Sequence, residues 1–246
     1  MISLFEVEHI AEEFWSRYGN VPEYPFDMHK LISFALPLHV VMLPDLTLGK
    51  IREWCQQRHL EYPFPLHDRP LHGYLIAGKS GFLFIDENDH PSEQRFTAAH
   101  EGAHYLFDFD MPRLRAVDEF GEAIVSVLDG ERPPTLTEKV HSAISGVPIR
   151  VIQHLMERPT SGVPNTAIID AEDRADRLAL ELLAPTAKIL KDIASQILQQ
   201  KYSKRFSLLQ EHLITEYGLP TTVAATYCKI LLSCLGRSIF SDWLED

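Results

Sequence analysis

Hydrophobic residues recur at helical spacing over much of this chain, and only short stretches carry the continuous apolar pattern of a strand. The N-terminal spacing predicts an amphipathic helix over Leu4–Tyr18. Asp27, as N-cap, predicts a second helix that ends near residue 35, before Pro37. The stretch Leu38–Leu43 is typical of a strand, and a third helix is predicted within residues 47–60.

Two further apolar stretches, 73–77 and 82–86, flank a turn that has glycine at both ends. This pattern predicts a β-hairpin. The edge of such a sheet can bind an extended peptide as an additional strand, although a purely structural hairpin is the alternative. A mostly apolar helical stretch, 96–109, follows the hairpin.

Helical segments dominate the second half of the chain. They are separated by glycine and proline and are predicted at 119–128, 136–145, 149–157, 170–183, 187–200, 208–217 and 221–235. Residues 206–230 have the spacing of a helix-turn-helix. Only Lys229 and Arg237 are basic from the turn onward, which favours helix packing over contact with DNA.

Composition narrows the functional classes. The 246 residues include 35 acidic and 23 basic ones, a formal charge of −12 that argues against general nucleic-acid affinity and suits a basic partner. The cysteines Cys55, Cys228 and Cys234 are odd in number and widely spaced, as expected for reduced thiols in the cytoplasm. No apolar run is as long as a membrane span, and the N-terminus lacks the pattern of a signal peptide, so we expect a cytoplasmic protein without membrane contact.

The helix at 96–109 contains the sequence His100-Glu101-Gly102-Ala103-His104, an H-E-x-x-H motif. Residues four apart share one helix face, so both imidazoles can bind one metal ion while Glu101 lies beside a water molecule. Such a motif also arises by chance on charged helices. Here the flanking residues are mostly apolar, and burying these polar side chains without a metal would be costly. Two histidines leave a catalytic zinc site one protein ligand short.

The helix at 170–183 can supply the third ligand. Glu172 and Asp176 are four residues apart and lie on one face, beside an apolar stripe. Glu172 would bind the metal, and Asp176 would accept the ring N–H of a ligand histidine. The spacing equally permits both carboxylates to be exposed partners of Arg174 and Arg177.

Together the segments 95–106, 172–179 and 182–185 resemble the IrrE/ImmA family of metallopeptidases, whose motifs are similar to R-F-T-x-A-H-E-x-x-H and E-x-x-A-N-x-F-A-x-x-L-L-x-P. The resemblance covers most of residues 4–185. It implies that His100, His104 and Glu172 are zinc ligands and that Glu101 is the general base. Zinc is the expected ion, with manganese as the alternative.

The chain departs from the family pattern in three respects. Asp176 stands where the family usually has asparagine, and Asp108 replaces a frequent histidine. The interval between His104 and Glu172 is longer than usual, which predicts a helical insertion at about 109–169. Within it, His141 and His154 are tempting ligands, but isolated histidines on amphipathic helices are more often surface or core residues.

The resemblance implies a zinc endopeptidase that cleaves a helix-turn-helix repressor in a response to stress or to mobile-element induction. Tyr105, His141 and His154 are candidates for stabilising the oxyanion, and the sequence selects none of them. One alternative is a metal-containing partner that sequesters a repressor or antitoxin without cleaving it. Another is a transcription regulator that acts through residues 186–246.

These features predict an α+β fold that is mostly helical. A small sheet would pack on the H-E-x-x-H helix. Residues 1–185 would form the metallopeptidase-like domain with its helical insertion, and residues 186–246 a helical, helix-turn-helix-like C-terminal region.

Overall fold

A computed structural model describes residues 4–18, 22–62, 64, 67–78, 80–147, 149 and 166–234. Their strands are β1 (Leu38–Leu43), β2 (Gly73–Ile76) and β3 (Gly81–Asp86). Their α-helices are α1 (Leu4–Tyr18), α2 (Met28–Ala35), α3 (Leu48–Gln56), α4 (Pro91–His104), α5 (Met111–Phe120), α6 (Val125–Leu128), α7 (Leu136–Ser145), α8 (Thr166–Leu183), α9 (Thr186–Ile197), α10 (Tyr202–Thr215) and α11 (Thr221–Cys234). A π-helical segment, Tyr105–Asp110, joins α4 to α5, and a 3-10 turn, Glu122–Ile124, precedes α6.

The three strands form a mixed sheet in the order β1-β3-β2. β1 runs parallel to β3, and β2 pairs antiparallel with β3, so that β2 is an edge strand. Successive side chains of β3 point to opposite faces of the sheet, and each face packs against its own apolar cluster. Leu83 and Ile85 of β3 point into the main core, whereas Phe84 packs in a second cluster with Ile51 and Cys55 of α3.

Helix α4 lies in the middle of the main core. Ala98, Ala99 and Ala103 are fully buried, and their small side chains allow close contact with neighbouring elements. α4 packs against α8, α2 and strands β2 and β3. A Cβ on Gly102 would lie 2.9 Å from Cδ1 of Ile32, so glycine permits the close approach of α4 to α2.

The structure confirms the predicted α+β fold class, with most of the described residues in helices around one small mixed sheet. The helix at 4–18, the second helix with its Asp27 cap, strand β1 and the hairpin are also confirmed. No helix of the described ranges is both long and apolar enough to cross a membrane.

The helix predicted at 119–128 is wrong. α5 ends at Phe120, because Gly121 takes a left-handed φ of 76°, and a 3-10 turn separates it from α6. The helix 136–145 is confirmed as α7, where Thr135 and Glu138 form a capping box. The helix predicted at 149–157 lies almost entirely outside the described residues.

Candidate metal centre

The connection between β3 and α4 is fixed by one side chain. Gln94 Nε2 donates to the carbonyl oxygens of Asp86, Glu87 and Asp89, at 3.3, 2.9 and 2.9 Å. Pro91 occupies the first turn of α4, where its missing N–H costs nothing. The start of the H-E-x-x-H helix is thereby anchored to the sheet.

Further along α4, His100 and His104 bring their ring nitrogens together. Their Nε2 atoms are 3.1 Å apart, and the residues are 5% and 1% exposed. Two imidazole nitrogens this close require either a shared proton or a cation between them. The i, i+4 spacing alone produces this convergence, because both residues lie on the same face of α4.

Glu172 on α8 completes a group of three. Its Oε2 is 3.4 Å from His100 Nε2, and its Oε1 is 3.9 Å from His104 Nε2. Around a tetrahedral zinc ion with bonds of about 2.0–2.1 Å, ligand atoms lie roughly 3.3 Å apart. The donor set and its spacing therefore fit a metal ion, and these three side chains could hold one.

Each histidine also contacts a carboxylate through its other ring nitrogen. His100 Nδ1 lies 2.8 Å from Asp176 Oδ1, and His104 Nδ1 lies 2.9 Å from Asp108 Oδ2. Such contacts place the ring hydrogen on Nδ1 and leave Nε2 free to bind a metal.

The sequence marks Asp108 only as a departure from the family pattern. Its position four residues after His104 is the signal that could have found its role, since residues at this spacing are neighbours on a helix. Asp108 also contacts α8, because Arg174 Nη2 is 3.4 Å from its Oδ1. The Arg174 guanidinium lies 5.2 Å from the ring centroid of Phe107. These contacts join the π-helical segment to the helix that carries Glu172.

Glu101 lies in the same region but does not belong to the three-residue group. Its Oε2 is buried and has no hydrogen-bond partner among the described residues. A buried carboxylate oxygen without a partner is costly unless a water molecule, a ligand or a proton satisfies it.

Strand β2 approaches Glu101 closely at Gly73. A Cβ on Gly73 would lie 2.4 Å from Thr97 Cγ2 and 3.2 Å from Glu101 Oε1. Glycine at this position therefore allows the edge strand to run directly beside the glutamate of the motif.

The carboxylates around His100 change its proton affinity. Burial by itself lowers the pKa of His100, but hydrogen bonds to Asp176 and Glu172 and the negative charges of Glu101 and Asp176 together outweigh it, and the net result is a pKa of about 9. The metal-free protein thus stabilises positive charge at this position, which is also what a bound cation would supply.

A cavity of about 690 Å³ opens onto these groups. Its lining is partly acidic, at Glu93, Glu101, Glu172, Asp173 and Asp176, and partly apolar, at Phe96, Ile168, Ile169 and Val223, with His72, Gly73, Thr97 and His100 completing it. A smaller cavity of about 100 Å³ extends along residues 69–75 to Glu101. Both cavities therefore reach Glu101 beside the start of β2.

Two of the three oxyanion candidates from the sequence, Tyr105 and His141, are not among the described residues that line these cavities. Tyr105 is 1% exposed, and its hydroxyl lies 3.5 Å from the carbonyl oxygen of Gly78. His141 is exposed on α7, where its Nε2 is 2.7 Å from Glu119 Oε1. His154 lies outside the described residues.

An α+β fold that buries an H-E-x-x-H helix beside a sheet edge, with a glutamate from a later helix next to both histidines, defines a metallopeptidase-type protein. Comparison with family models agrees with this class. Residues 58–122 match the model of the Peptidase_M78 family, described as the IrrE N-terminal-like domain, so this segment is similar to that peptidase domain. The matched segment contains His100, Glu101 and His104 but not Glu172. Comparisons with curated proteins and with solved structures gave no match.

Proposed function

We propose that this chain is a zinc-dependent endopeptidase in which His100, His104 and Glu172 hold the ion and Glu101 is the general base. The observation that carries the proposal is the arrangement around Glu101. Three donor atoms within 4.8 Å of one another lie near a buried carboxylate oxygen that has no partner among the described residues, and a cavity opens onto this region.

Zinc, when bound, would polarise a peptide carbonyl and acidify water at neutral pH. Side chains of this protein would carry out the proton transfers and would orient the ligands. Glu101 would accept a proton from the attacking water and pass it to the departing amine. Asp176 and Asp108 would hold the two imidazoles in the tautomer that presents Nε2.

The substrate would bind as an extended peptide along the open edge of β2. The described part of the sheet pairs this strand with β3 on one side, and both cavities run along the start of the strand. Backbone groups of an edge strand can pair with a peptide of any sequence, while the cavity walls select side chains. Gly73 would bring the bound peptide within reach of Glu101.

As the target we propose a helix-turn-helix repressor, cleaved in a response to stress or to mobile-element induction. Two observations support it: the IrrE N-terminal-like match and the formal charge of −12, which attracts a basic DNA-binding protein. We further propose a cytoplasmic location, with residues 1–185 as the peptidase unit, an insertion at 109–169 and residues 186–246 as a helical region that supports it.

Replacing Glu101 with glutamine tests the role of the general base. The variant should bind zinc like the wild type, because Glu101 is not one of the three ligand residues, and should lose cleavage by at least about a hundredfold. Zinc content by elemental analysis and cleavage by mass spectrometry provide the two readings. Glu53→Gln, at an exposed position on α3, is the matched control. Undiminished cleavage by Glu101→Gln would remove Glu101 from this role.

A second experiment distinguishes cleavage from sequestration. The zinc-loaded protein is incubated with a repressor encoded beside it, and the mixture is followed by mass spectrometry and size-exclusion chromatography. A single cut made by the wild type and not by Glu101→Gln supports the endopeptidase. A stable complex with an intact repressor would favour the non-proteolytic partner instead.

A further inference from the structure

Immediately before β2 lies a histidine to which the proposed chemistry assigns no role. His72 precedes Gly73 and lines both the large cavity and the smaller one, each of which reaches Glu101. Among the described residues that line the large cavity, His72 and His100 are the two histidines. His72 therefore places an imidazole beside the proposed substrate path.

His72 is held in place although its ring is largely exposed. Its Nδ1 lies 2.8 Å from Asp89 Oδ2, and the side chains are 74% and 19% exposed. Its carbonyl oxygen accepts from the amide of Asp86 at 3.0 Å.

Asp89 is fixed in turn. Its carbonyl oxygen accepts from Gln94 Nε2 at 2.9 Å, within the contacts that anchor α4. The imidazole of His72 is thus tied to the same connection that positions the H-E-x-x-H helix.

The contact with Asp89 determines which nitrogen of the His72 ring carries a hydrogen. A carboxylate oxygen accepts, so Nδ1 carries a hydrogen and Nε2 is the nitrogen left for the cavity. When both ring nitrogens carry a hydrogen, Nε2 is a donor as well. A charged donor beside the reacting bond is what a developing oxyanion requires.

We propose that His72, oriented by Asp89, donates a hydrogen bond from Nε2 to the carbonyl oxygen of the peptide bond that is hydrolysed. The inference rests on the proposed peptidase function and assigns the oxyanion-stabilising residue that the sequence left open. His72 would be the catalytic residue, because it touches the reacting oxygen, and Asp89 a positioning residue that acts through it.

The test uses the zinc-loaded full chain and two probes that separate the metal from the oxyanion. A phosphoryl dipeptide, phosphoryl-Leu-Trp, places negative oxygens where a tetrahedral intermediate would have them. Acetohydroxamate binds zinc without extending along β2. Affinities for zinc and for both probes are measured by calorimetry for wild type, His72→Ala, His72→Gln and Asp89→Asn. The control is His67→Ala, which replaces an exposed histidine between α3 and β2.

We expect His72→Ala to bind phosphoryl-Leu-Trp at least about tenfold more weakly, with zinc and acetohydroxamate affinities unchanged. His72→Gln should recover part of the loss, because an amide nitrogen can donate, and Asp89→Asn should lose affinity through misorientation of the ring. His67→Ala should match the wild type. A merely structural role for His72 would not produce rescue by glutamine.

Equal affinity of His72→Ala and wild type for the phosphoryl dipeptide would overturn the inference and leave the peptidase proposal standing. A wild type that binds zinc but neither probe would overturn both, since no substrate-like ligand then reaches the metal. Circular dichroism establishes that each variant is folded. If His72→Ala is misfolded, the affinities of His72→Gln and Asp89→Asn for the phosphoryl dipeptide are compared instead. The inference is overturned if His72→Gln binds this probe no more tightly than Asp89→Asn.

Discussion

Removing the carboxylate of Asp108 should weaken metal binding without removing a ligand. Asp108 accepts from His104 Nδ1 at 2.9 Å, and the His104 side chain is only 1% exposed, so water cannot easily replace the lost partner. The ring would then be free to change tautomer or rotate. Losing such a contact typically reduces metal affinity by about 10- to 100-fold, which corresponds to roughly 1.4–2.7 kcal/mol.

Two variants and a control separate the contributions. Asp108→Ala should show the full loss, whereas Asp108→Asn keeps an acceptor oxygen and should lose less. Asp118→Ala removes an exposed carboxylate from α5 and should bind zinc like the wild type. Affinity is measured by competition with a chromophoric chelator, and circular dichroism checks the fold. Zinc affinity of Asp108→Ala within twofold of the wild type would refute the argument that Asp108 positions His104.

Three further outcomes follow from other contacts. Gly73→Ala would place a Cβ 2.4 Å from Thr97 Cγ2 and should destabilise the fold by about 1–3 kcal/mol in urea unfolding, a cost that an unchanged midpoint would disprove. The pKa of His100 is raised to about 9 in the metal-free protein, so the stabilisation from its protonated ring is fully present below pH 6.5 and disappears as the pH rises through 9. His100→Gln should therefore make the free energy of unfolding, measured in urea, less dependent on pH in this range. Thr186→Val would remove the hydroxyl 2.8 Å from buried Glu181 Oε2 and should cost about 1–3 kcal/mol, read as a lower melting temperature, whereas an unaltered transition would contradict this role.

The sequence predicted several elements because their signals are local. Asp27 caps α2 and the glycine-flanked turn sets the hairpin, both through interactions within a few residues. The helix predicted at 119–128 failed for a local reason as well, since Gly121 ends α5 although the apolar periodicity continues past it. α10 begins at Tyr202 instead of near residue 208, because polar residues on an exposed face carry little hydrophobic signal.

The H-E-x-x-H motif in α4 could be interpreted further from the sequence, because its spacing places both histidines on one face of a helix. Spacing alone predicts that His100 and His104 lie side by side, and the helix brings their Nε2 atoms within 3.1 Å. For Glu172, spacing left a surface ion pair open as an alternative. Packing of α8 against α4 places its carboxylate beside both imidazoles, whereas Arg174 turns toward Asp108 and Arg177 toward Asp173.

By itself the sequence determined the fold class, the helix that carries the H-E-x-x-H motif and the chemistry that this motif permits, since these depend on periodicity and on residues within one or two turns. Only the tertiary structure decided which distant groups meet there. Asp176 reaches His100 across 76 positions, and His72 faces the cavity because β2 and the β3–α4 connection hold it beside Asp89. Such contacts depend on how helices and strands pack, and no local pattern in one sequence specifies them.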